Sequence, residues 1–509
     1  MPPARRPLTP NPVLAKTTPA PDIGGARLVD SGPTPLVVDL DGTLQKSDLM
    51  AEGLAWLLRT RPLRVFGWAL TLLKHGRAAA KLQLQDWVIL ANWMPTLPLD
   101  SRVVALLRAA HEAGRPVILA TGSPRHWVVQ LPQIQAFMHD MALDVMGTED
   151  PATNLTGPRK AEALVARFGV QGFDYAGNSD DDVAVWAVAR RAYVANATPT
   201  VTAKAHAFGR VEAVYPSEEP MAKAFWRLLR PHQWLKNTLV FAPMLAGHVW
   251  LDLSAWASAM LAFAAFSAVA SGAYVVNDAL DVVTDRAHPR KCKRPLASAA
   301  FPLPAALMLA PVLMVVGLML ALWHSAALLA ILLAYMVLTF AYSFRLKHIP
   351  VADVTALAAL WGLRLWGGAV AAHIELSYWL ALFGFLMFYG LALLKRYVEL
   401  RDLPARGETR ARGYELGDAP LVATQGVAAG MLAVLVVALY LNSADVRALY
   451  DSPVWLWPLC PLLVWWLGRI WLLAHRGEVH DDPLVFAARD PLTIAMAAGV
   501  ALLVMMGAA

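Results

Sequence analysis

Long apolar runs recur along the second half of the chain and set its architecture. Each run is about 17–22 residues long, enough to cross a bilayer as a helix. The pattern predicts nine membrane spans, the first of them short, at about 237–252, 255–276, 302–323, 326–343, 354–372, 377–394, 419–441, 454–474 and 490–508. We therefore predict a polytopic, all-α membrane domain over residues 237–509.

The first half follows a different pattern, in which short apolar segments end in polar, turn-forming residues. Three segments each predict a strand with hydroxyl, amide or carboxyl side chains at its end: TPLVVDLDGT (34–43), GRPVILATGS (114–123) and FDYAGNSDDD (173–182). Open α/β sheets collect ligands beyond the carboxyl ends of their strands. This pattern predicts a soluble α/β domain at 34–200, with a disordered Pro-rich tail at 1–33 before it and a linker with an interfacial helix at 201–236 after it.

Composition and charge placement fit a membrane protein. Hydrophobic residues make up 57% of the chain and charged residues only 16%, against about 25% charged in soluble domains. The two cysteines lie far apart and form no metal or disulfide pattern. Basic residues fall on alternate loops, such as RPHQWLKN (230–237), RAHPRKCKR (286–294) and SFRLKH (343–348). By the positive-inside rule these loops, and the soluble domain before them, are expected on the cytoplasmic side of a bacterial inner membrane.

The loop after the second predicted span carries an acidic stripe. Asn277, Asp281 and Asp285 are spaced i, i+4, i+8, and Asp278 extends the stripe, so on one helix all four would share a face. Hard oxygen ligands suit Mg²⁺, which commonly bridges carboxylates to substrate phosphates. Four basic residues that could bind phosphate follow at once: Arg286, Lys291, Lys293 and Arg294. The alternative is a solvated acidic helix end beside a basic loop.

Further candidate substrate-binding residues lie on the other basic loops. They are Lys236 before the first span, Tyr342, Lys347 and Asp353 around the fourth loop, and Lys395 and Arg396 with Glu399 after the sixth span. Asp353 begins an apolar run, so it also suits a helix N-terminus, where the helix dipole favours an acid.

These segments together resemble the UbiA superfamily of intramembrane transferases. The resemblance rests on RPHQWLKN (230–237), NDALDVVTDRAHPRKCKRPLASA (277–299), YSFRLKHIPVADV (342–354) and KRYVEL (395–400). It is nearest to the branch that makes polyprenylphosphoryl-phosphoribose, because the second loop carries a single Asp where prenyl-diphosphate users often carry a second Asp-rich motif. The resemblance implies Mg²⁺ on the acidic stripe, phosphoribosyl diphosphate as donor and polyprenyl phosphate as acceptor.

The soluble segments resemble the haloacid dehalogenase-like hydrolases, which have a Rossmann-like α/β fold with a helical cap. The resemblance implies that Asp39 is a nucleophile, that Asp41 is an acid and base, and that Thr121 and Lys160 bind the phosphoryl group. It also implies Mg²⁺ held by Asp39, Asp41, Asn178 and Asp182, although the family usually has an acid at the position of Asn178. The cap would occupy about 46–100. This segment is amphipathic and basic, so it either packs on its own core or lies on anionic lipid.

The two resemblances combine into one predicted function. The membrane domain would phosphoribosylate polyprenyl phosphate, and the soluble domain would then remove the 5-phosphate to leave lipid-linked ribose. Two alternatives are a UbiA prenyltransferase that acts on an aromatic or isoprenoid acceptor, and a transporter or scaffold. The charged residues cluster at one membrane face, whereas transporters place their sites near the midplane. A homo-oligomer is possible, and no nucleic acid partner is predicted.

Overall fold

The computed structural model describes residues 34–508 apart from 92, 94–95, 151–153, 404–408 and 480–485. The predicted tail at 1–33 lies outside the described residues. The chain divides into two compact units, Met1–Pro220 and Met221–Ala509. The predicted order, an α/β domain followed by a helical membrane domain, is confirmed.

A parallel sheet forms the centre of the first unit. Its strands are β1 (Leu36–Val38), β2 (Val117–Pro124), β3 (Asp144–Thr148), β4 (Asp174–Gly177), β5 (Ala192–Ala195) and β6 (Val211–Tyr215). The spatial order is β3-β2-β1-β4-β5-β6. Successive strands are added to one side of β1 and then to the other, so the direction of winding reverses beside β1. Such a switch point is where doubly wound sheets bind their ligands.

Helices cover both faces of this sheet. They are α1 (Leu49–Thr60), α2 (Arg64–Leu90), α3 (Ser101–Glu112), α4 (Arg125–Val128), α5 (Pro132–Met141), α6 (Gly157–Phe168), α7 (Val183–Val188) and α8 (Pro199–His206). One core cluster contains Leu36, Val38 and Leu119, and a second contains Val37, Ile118 and Tyr175. Neighbouring residues of β1 thus point into opposite cores, which explains its unbroken apolar sequence.

The soluble fold continues beyond the predicted boundary at residue 200. Strand β6 pairs in parallel with β5, from Ala192 with Val211 to Ala195 with Tyr215. The segment predicted as linker therefore supplies the last helix and strand of the sheet. VEAVY is short, partly exposed and interrupted by Glu212, as an edge strand often is, so its pattern alone did not distinguish it from a linker.

The predicted cap region folds as two helices, α1 and α2. Gly76 interrupts α2 with a φ of 82°, a conformation that glycine adopts without a steric penalty. The chain packs back on itself there, because the Trp68 indole donates to the Ala80 carbonyl at 3.0 Å. Trp68, Ala80 and Leu84 are buried in the first core cluster.

The second unit is a helical bundle. Its helices are α9 (Met221–Leu229), α10 (Ala242–Ala246), α11 (Leu253–Leu280), α12 (Val282–Ala287), α13 (Leu303–His324), α14 (Ala326–Phe344), α15 (Ala352–Ala371), α16 (Tyr378–Arg401), α17 (Ala419–Leu441), α18 (Ala444–Leu449), α19 (Leu459–Arg476) and α20 (Pro491–Ala508). A short hairpin, β7 (Arg410–Ala411) with β8 (Tyr414–Glu415), lies between α16 and α17. In the described part of the chain, eight helices are long and apolar enough to cross a membrane.

The first predicted span, 237–252, is not one of these long helices. Residues Pro231–Phe241 form a 3₁₀ helix that leads into α10. Arg230, before the 3₁₀ helix, pairs with Asp278, whereas His248, after α10, makes an edge-to-face contact with Tyr450. Asp278 lies near the end of α11, and Tyr450 lies between α17 and α19, so the two ends of the segment contact different helix ends of the bundle. At about 2 Å per residue, a 3₁₀ helix covers a given distance with fewer residues than an α-helix needs.

Close helix packing in the bundle depends on small residues. A Cβ added at Gly272 would lie 2.8 Å from the Ala310 carbonyl oxygen, and one at Gly317 would lie 2.7 Å from the Ala265 carbonyl oxygen. Helices α11 and α13 therefore approach each other backbone to backbone, as small residues permit in membrane bundles. Outward-facing residues of α13, such as Met308 and Trp323, are exposed and apolar, as expected for a lipid-facing surface.

Candidate active sites

The first candidate site lies at the switch point of the parallel sheet. Asp39 follows β1 and accepts a hydrogen bond from the Lys160 ammonium at 2.6 Å. Lys160, near the start of α6, also contacts the Tyr175 hydroxyl at 3.0 Å and Asp182 at 3.5 Å. The Tyr175 hydroxyl donates to Asp182 at 2.5 Å. All four side chains are buried, and the structure brings two of the predicted acids, Asp39 and Asp182, together around the predicted Lys160.

Asp41 and Asn178 complete this group. Asp41 accepts from the Ser123 hydroxyl at 2.7 Å and from the Leu49 amide at 2.8 Å, which fixes its orientation beside the cap. Thr43 donates to Asn178 at 3.3 Å and makes a longer contact of 3.5 Å with the second oxygen of Asp39. Asn178 and the carboxylates therefore lie around the same loop after β1.

Thr121 lies at the carboxyl end of β2. Its side chain is fully buried, and its hydroxyl accepts a hydrogen bond from the Ser123 amide at 3.0 Å. Because Ser123 in turn donates to Asp41, the end of β2 is connected to the loop after β1. The predicted phosphoryl-binding threonine is thus held at the expected edge of the sheet.

The electrostatics of this site fit a place for a cation. Burial raises the pKa of the Asp39 carboxyl to about 7, with further raising by Asp182 and Asp41, although Lys160 works against this. Burial alone would also raise the pKa of Asp182, but Lys160 and the Tyr175 hydroxyl hold it below its usual value. One lysine therefore does not fully offset the crowded carboxylates.

A cap residue also reaches this edge of the sheet. The Lys81 ammonium donates to the Gly122 carbonyl at 2.9 Å. Lys81 belongs to α2, and Gly122 lies between Thr121 and Ser123 at the end of β2. The spacing of the sequence motifs did not indicate this contact, because the cap is separated from β2 by α3.

The second candidate site lies at the end of α11. Asp278 pairs with Arg230, and its same oxygen, Oδ1, lies 3.2 Å from an Arg294 nitrogen. That nitrogen also contacts Asp285 at 2.5 Å, and the Lys291 ammonium lies 4.0 Å from Asp285. We name these five residues the Asp278 cluster. The other oxygen of Asp278, Oδ2, is buried and has no hydrogen-bond partner among the described residues.

The predicted stripe of four ligands on one helix face is only partly correct. Helix α11 ends at Leu280, and α12 begins at Val282 after a change of backbone angles at Asp281. Asp278 and Asp285 come together, whereas the Asn277 amide donates to the Ser343 hydroxyl at 3.1 Å. The i, i+7 pair therefore forms the centre of the site, and Asn277 connects it to α14.

A third group of polar residues surrounds Asp353, at the start of α15. Arg396 is almost fully buried and donates to both Asp353 and Glu399, and it contacts the Tyr342 hydroxyl at 3.1 Å. The Tyr414 hydroxyl donates to the other oxygen of Asp353 at 2.8 Å. We name this group the Asp353 cluster. Asp353 is therefore more than a helix-capping acid, because a buried arginine neutralises it.

The remaining predicted residues have different surroundings. Arg286 donates to the Ala297 carbonyl at 3.1 Å, which holds the loop after α12 in place. Lys236 lies in the 3₁₀ segment, Lys347 in the turn Leu346–His348, and Lys395 directly before Arg396 in α16. Lys293 accepts a hydrogen bond from Arg227 through its carbonyl.

A basic cavity of about 810 Å³ lies beside the Asp278 cluster. Seven basic side chains line it, and none of the described residues in its lining is acidic: Lys223, Arg227, Arg230, His232, Arg290, Lys293 and Arg294. Arg230 and Arg294 belong to both the cavity and the cluster. A concave surface with this charge suits a phosphate or diphosphate group.

Several of these residues lie outside the predicted set. Arg230 carries a membrane-anchoring signal in the sequence, yet it pairs with Asp278, 48 residues away. Tyr414 reaches Asp353 from the β7–β8 hairpin, 61 residues away. Among the residues that the structure describes, no three His, Cys, Asp or Glu side chains lie close enough to hold a metal ion by themselves. Magnesium is often held by only one or two carboxylates plus substrate phosphates.

Comparisons with known proteins agree with this architecture. The family model of the UbiA prenyltransferase family matches residues 238–504. The protein y4nM of Sinorhizobium fredii is 35% identical over 471 residues, which cover 90% of this chain and 87% of that protein. A protein of Mycolicibacterium smegmatis named decaprenyl-phosphate phosphoribosyltransferase is 39% identical over 184 residues, which cover 34% of this chain and 56% of that protein.

A solved structure is also similar to the membrane unit. It is a UbiA homologue from Archaeoglobus fulgidus bound to GPP and Mg²⁺, with 16% sequence identity and a TM-score of 0.42. The similarity covers 56% of this chain and 98% of that one.

Proposed function

The chain belongs to the UbiA prenyltransferase family, and from that premise we propose that its membrane domain transfers 5-phosphoribose from phosphoribosyl diphosphate to polyprenyl phosphate. The soluble domain then removes the 5-phosphate, which leaves polyprenylphosphoryl ribose. Both reactions take place on the cytoplasmic side of a bacterial inner membrane, where the basic loops are expected.

The transfer step is supported chiefly by the position of the Asp278–Asp285 pair directly beside the basic cavity. Arg294 contacts Asp278 and Asp285 and also lines the cavity of seven basic side chains. This arrangement suits a donor that carries phosphate in two places, a diphosphate on the anomeric carbon and a single phosphate on the 5-carbon. The named phosphoribosyltransferase of Mycolicibacterium smegmatis, 39% identical over its matched segment, supports the same donor.

The residues of the Asp278 cluster fit a magnesium ion. The unpaired, buried Oδ2 of Asp278 and the neighbouring Asp285 carboxylate are hard oxygen ligands. Bound Mg²⁺ would neutralise the diphosphate leaving group in the membrane domain and the phosphoryl oxygens in the soluble domain. In the soluble domain, Asp39, Asp41, Asn178 and Asp182 are the proposed ligands.

The protein's own residues direct the transfer step. The acceptor phosphate attacks the anomeric carbon of the donor, and the bond between that carbon and the diphosphate oxygen breaks. Arg230 and Arg294 stabilise the negative charge that grows on the leaving diphosphate. The acceptor is already an anion, so the step requires no base. The buried Arg396–Asp353 pair holds Tyr342 and Tyr414 in fixed positions at the start of α15.

The geometry around Asp39 supports the second step. Lys160 holds Asp39 Oδ1 at 2.6 Å, so Oδ2, with only a 3.5 Å contact to Thr43, is the oxygen that attacks phosphorus. The bond from phosphorus to the ribose 5-oxygen breaks, and that oxygen takes the proton of Asp41. Asp41 then removes a proton from water, which attacks the aspartyl-phosphate, releases inorganic phosphate and frees Asp39.

A donor competition experiment tests the transferase proposal. Purified protein with polyprenyl phosphate and Mg²⁺ receives either phosphoribosyl diphosphate with a labelled ribose or a labelled prenyl diphosphate with an aromatic acceptor. The proposal predicts labelled phosphoribosylated polyprenyl phosphate from the first donor and no labelled prenylated aromatic product from the second. Transfer from the prenyl diphosphate, with none from phosphoribosyl diphosphate, would show a prenyltransferase instead.

A further inference from the structure

The cap of the soluble unit exposes an apolar stripe to its surroundings. Leu63, Phe66, Leu70 and Leu73 follow one another at i, i+3, i+7 and i+10, around and within the first part of α2. Their exposed fractions are 81%, 75%, 51% and 84%. Residues at this spacing lie on one side of a helix. The opposite side is already occupied, because Trp68 between them is buried in the core.

This stripe is not explained by the packing of the cap itself. The sequence left two alternatives for the cap, packing on its own core and contact with lipid. In the structure one face of α2 packs on the core and the other is exposed, so each alternative can apply to a different face. One face packs through Trp68, Ala80 and Leu84, while the stripe remains outside. Scattered exposed apolar residues are common, but four large ones in a continuous row mark an interaction surface.

The charge around the stripe identifies its partner. Residues 53–85 contain no Asp or Glu. Six Lys and Arg side chains occur in that range: Arg59, Arg61, Arg64, Lys74, Arg77 and Lys81. All of these except Lys81 are exposed. An apolar stripe with a basic surround is the signature of a helix that lies in the headgroup layer of an anionic membrane.

A bilayer is also within reach of this surface. Strand β6 ends at Tyr215 and α9 begins at Met221, so only residues 216–220 separate the sheet from the unit that carries eight potential membrane spans. A five-residue connection extends at most about 18 Å. A tether of this length keeps the local concentration of membrane surface high.

We propose that the stripe Leu63, Phe66, Leu70 and Leu73 docks the cap of the soluble unit onto anionic phospholipid. The partner is the bilayer surface itself, recognised by its acyl boundary and its negative headgroups. In the proposed function, docking brings a lipid-linked phosphomonoester to Asp39, and this consequence rests on that function. The docking itself does not depend on it.

Fluorescence quenching by brominated lipid tests the docking directly. In the full chain with Cys292→Ser and Cys460→Ser, a polarity-sensitive dye is attached to a cysteine at Leu70, and the protein is placed in nanodiscs that contain brominated phosphatidylglycerol. The matched control carries the dye at Val170, which is 66% exposed in the same unit. The proposal predicts quenching at 70 but not at 170, and loss of quenching when the anionic lipid is replaced by brominated phosphatidylcholine, which keeps the quencher and removes the charge.

Two results would overturn the proposal. A dye at 70 that stays in water, with the same emission and quenching as the dye at 170, would show that the stripe does not dock. A dye at 70 that is shielded from water but not quenched by brominated lipid would show a protein partner, such as the membrane domain or a second copy.

A kinetic experiment separates this proposal from the proposed function. Phe66→Asp with Leu73→Asp should lower turnover of a lipid-linked phosphomonoester about tenfold or more, because charged groups replace the apolar contacts. The same pair should leave hydrolysis of p-nitrophenyl phosphate unchanged. Quenching at 70 without any phosphatase activity would leave the docking intact and refute only the proposed function. Equal loss with both substrates would show damage to the fold and contradict the docking role.

Discussion

The sharpest test of the membrane site replaces Asp285 by Asn. This change keeps the size of the side chain but removes its charge from beside Arg294, which contacts it at 2.5 Å. The loss of one charge-assisted hydrogen bond should cost about 1.5–3 kcal/mol of folding free energy. Arg294 keeps its second contact, to Asp278 at 3.2 Å, so the bundle should remain folded.

The expected effect on transfer is much larger than the effect on folding. Loss of one group that stabilises transition-state charge typically lowers turnover by about 10²–10³-fold. We expect at least about a hundredfold fall in kcat/KM for phosphoribosyl transfer, equal to roughly 2.7 kcal/mol of transition-state stabilisation. Lipid-bound radioactivity from labelled phosphoribosyl diphosphate measures this rate. Hydrolysis of p-nitrophenyl phosphate by the soluble unit should not change and serves as an internal control.

A matched control lies at the start of α11, the helix that carries Asp278 near its end. Asp252 caps α11 by accepting from the Ser254 amide at 2.8 Å, and Asn caps helices equally well. Asp252→Asn should therefore leave transfer and folding unchanged. Transfer by Asp285→Asn within about threefold of the parent rate would refute the metal-site assignment. An equal fall in both variants would show that the loss does not come from the Asp278 cluster.

Three further predictions test other parts of the structure. Gly42→Ala places a Cβ 2.0 Å from the Asn178 side-chain nitrogen, at a φ of 80°, whereas Gly209→Ala, at a φ of 66°, meets only open space. Thermal unfolding and turnover assays should therefore show a larger loss of stability and of phosphatase activity for Gly42→Ala. Arg396→Gln leaves a buried carboxylate without its cation and should cost about 3–5 kcal/mol, whereas exposed Arg410→Gln should cost under about 0.5 kcal/mol, measured by thermal unfolding in detergent. A single cysteine at residue 445 should react with an impermeant thiol reagent in intact cells and one at residue 410 should not; the reverse pattern would overturn the predicted orientation.

The sequence was sufficient for features that depend on local pattern. Eight apolar runs became long helices, and the strands that end at Asp39, Thr121 and Asn178 meet at one edge of the sheet. Chain order and strand polarity are enough to place such residues, because parallel strands share their carboxyl edge. The burial of a continuous apolar segment can likewise be predicted from its sequence without knowing which residues it packs against.

Features that depend on distant partners could not be predicted in this way. The Asp278 cluster needs Arg230, and the Asp353 cluster needs Tyr414, each brought close only by the fold. Helical spacing placed Asn277 in the metal site but could not show that its amide also donates a hydrogen bond to Ser343 of α14. The first span was assigned as an ordinary helix because hydropathy does not distinguish a 3₁₀ helix from an α-helix.

The central claim is that one chain makes and then dephosphorylates a lipid-linked phosphoribose. Mass spectrometry of the lipid products tests it most directly, with purified protein, polyprenyl phosphate, phosphoribosyl diphosphate and Mg²⁺, for the parent chain and for Asp39→Asn. The account predicts polyprenylphosphoryl ribose from the parent chain. It predicts accumulation of the 5-phosphorylated lipid from Asp39→Asn, at an unchanged rate of donor consumption. Lipid-linked ribose from Asp39→Asn, or no phosphoribosylated lipid from either protein, would contradict it.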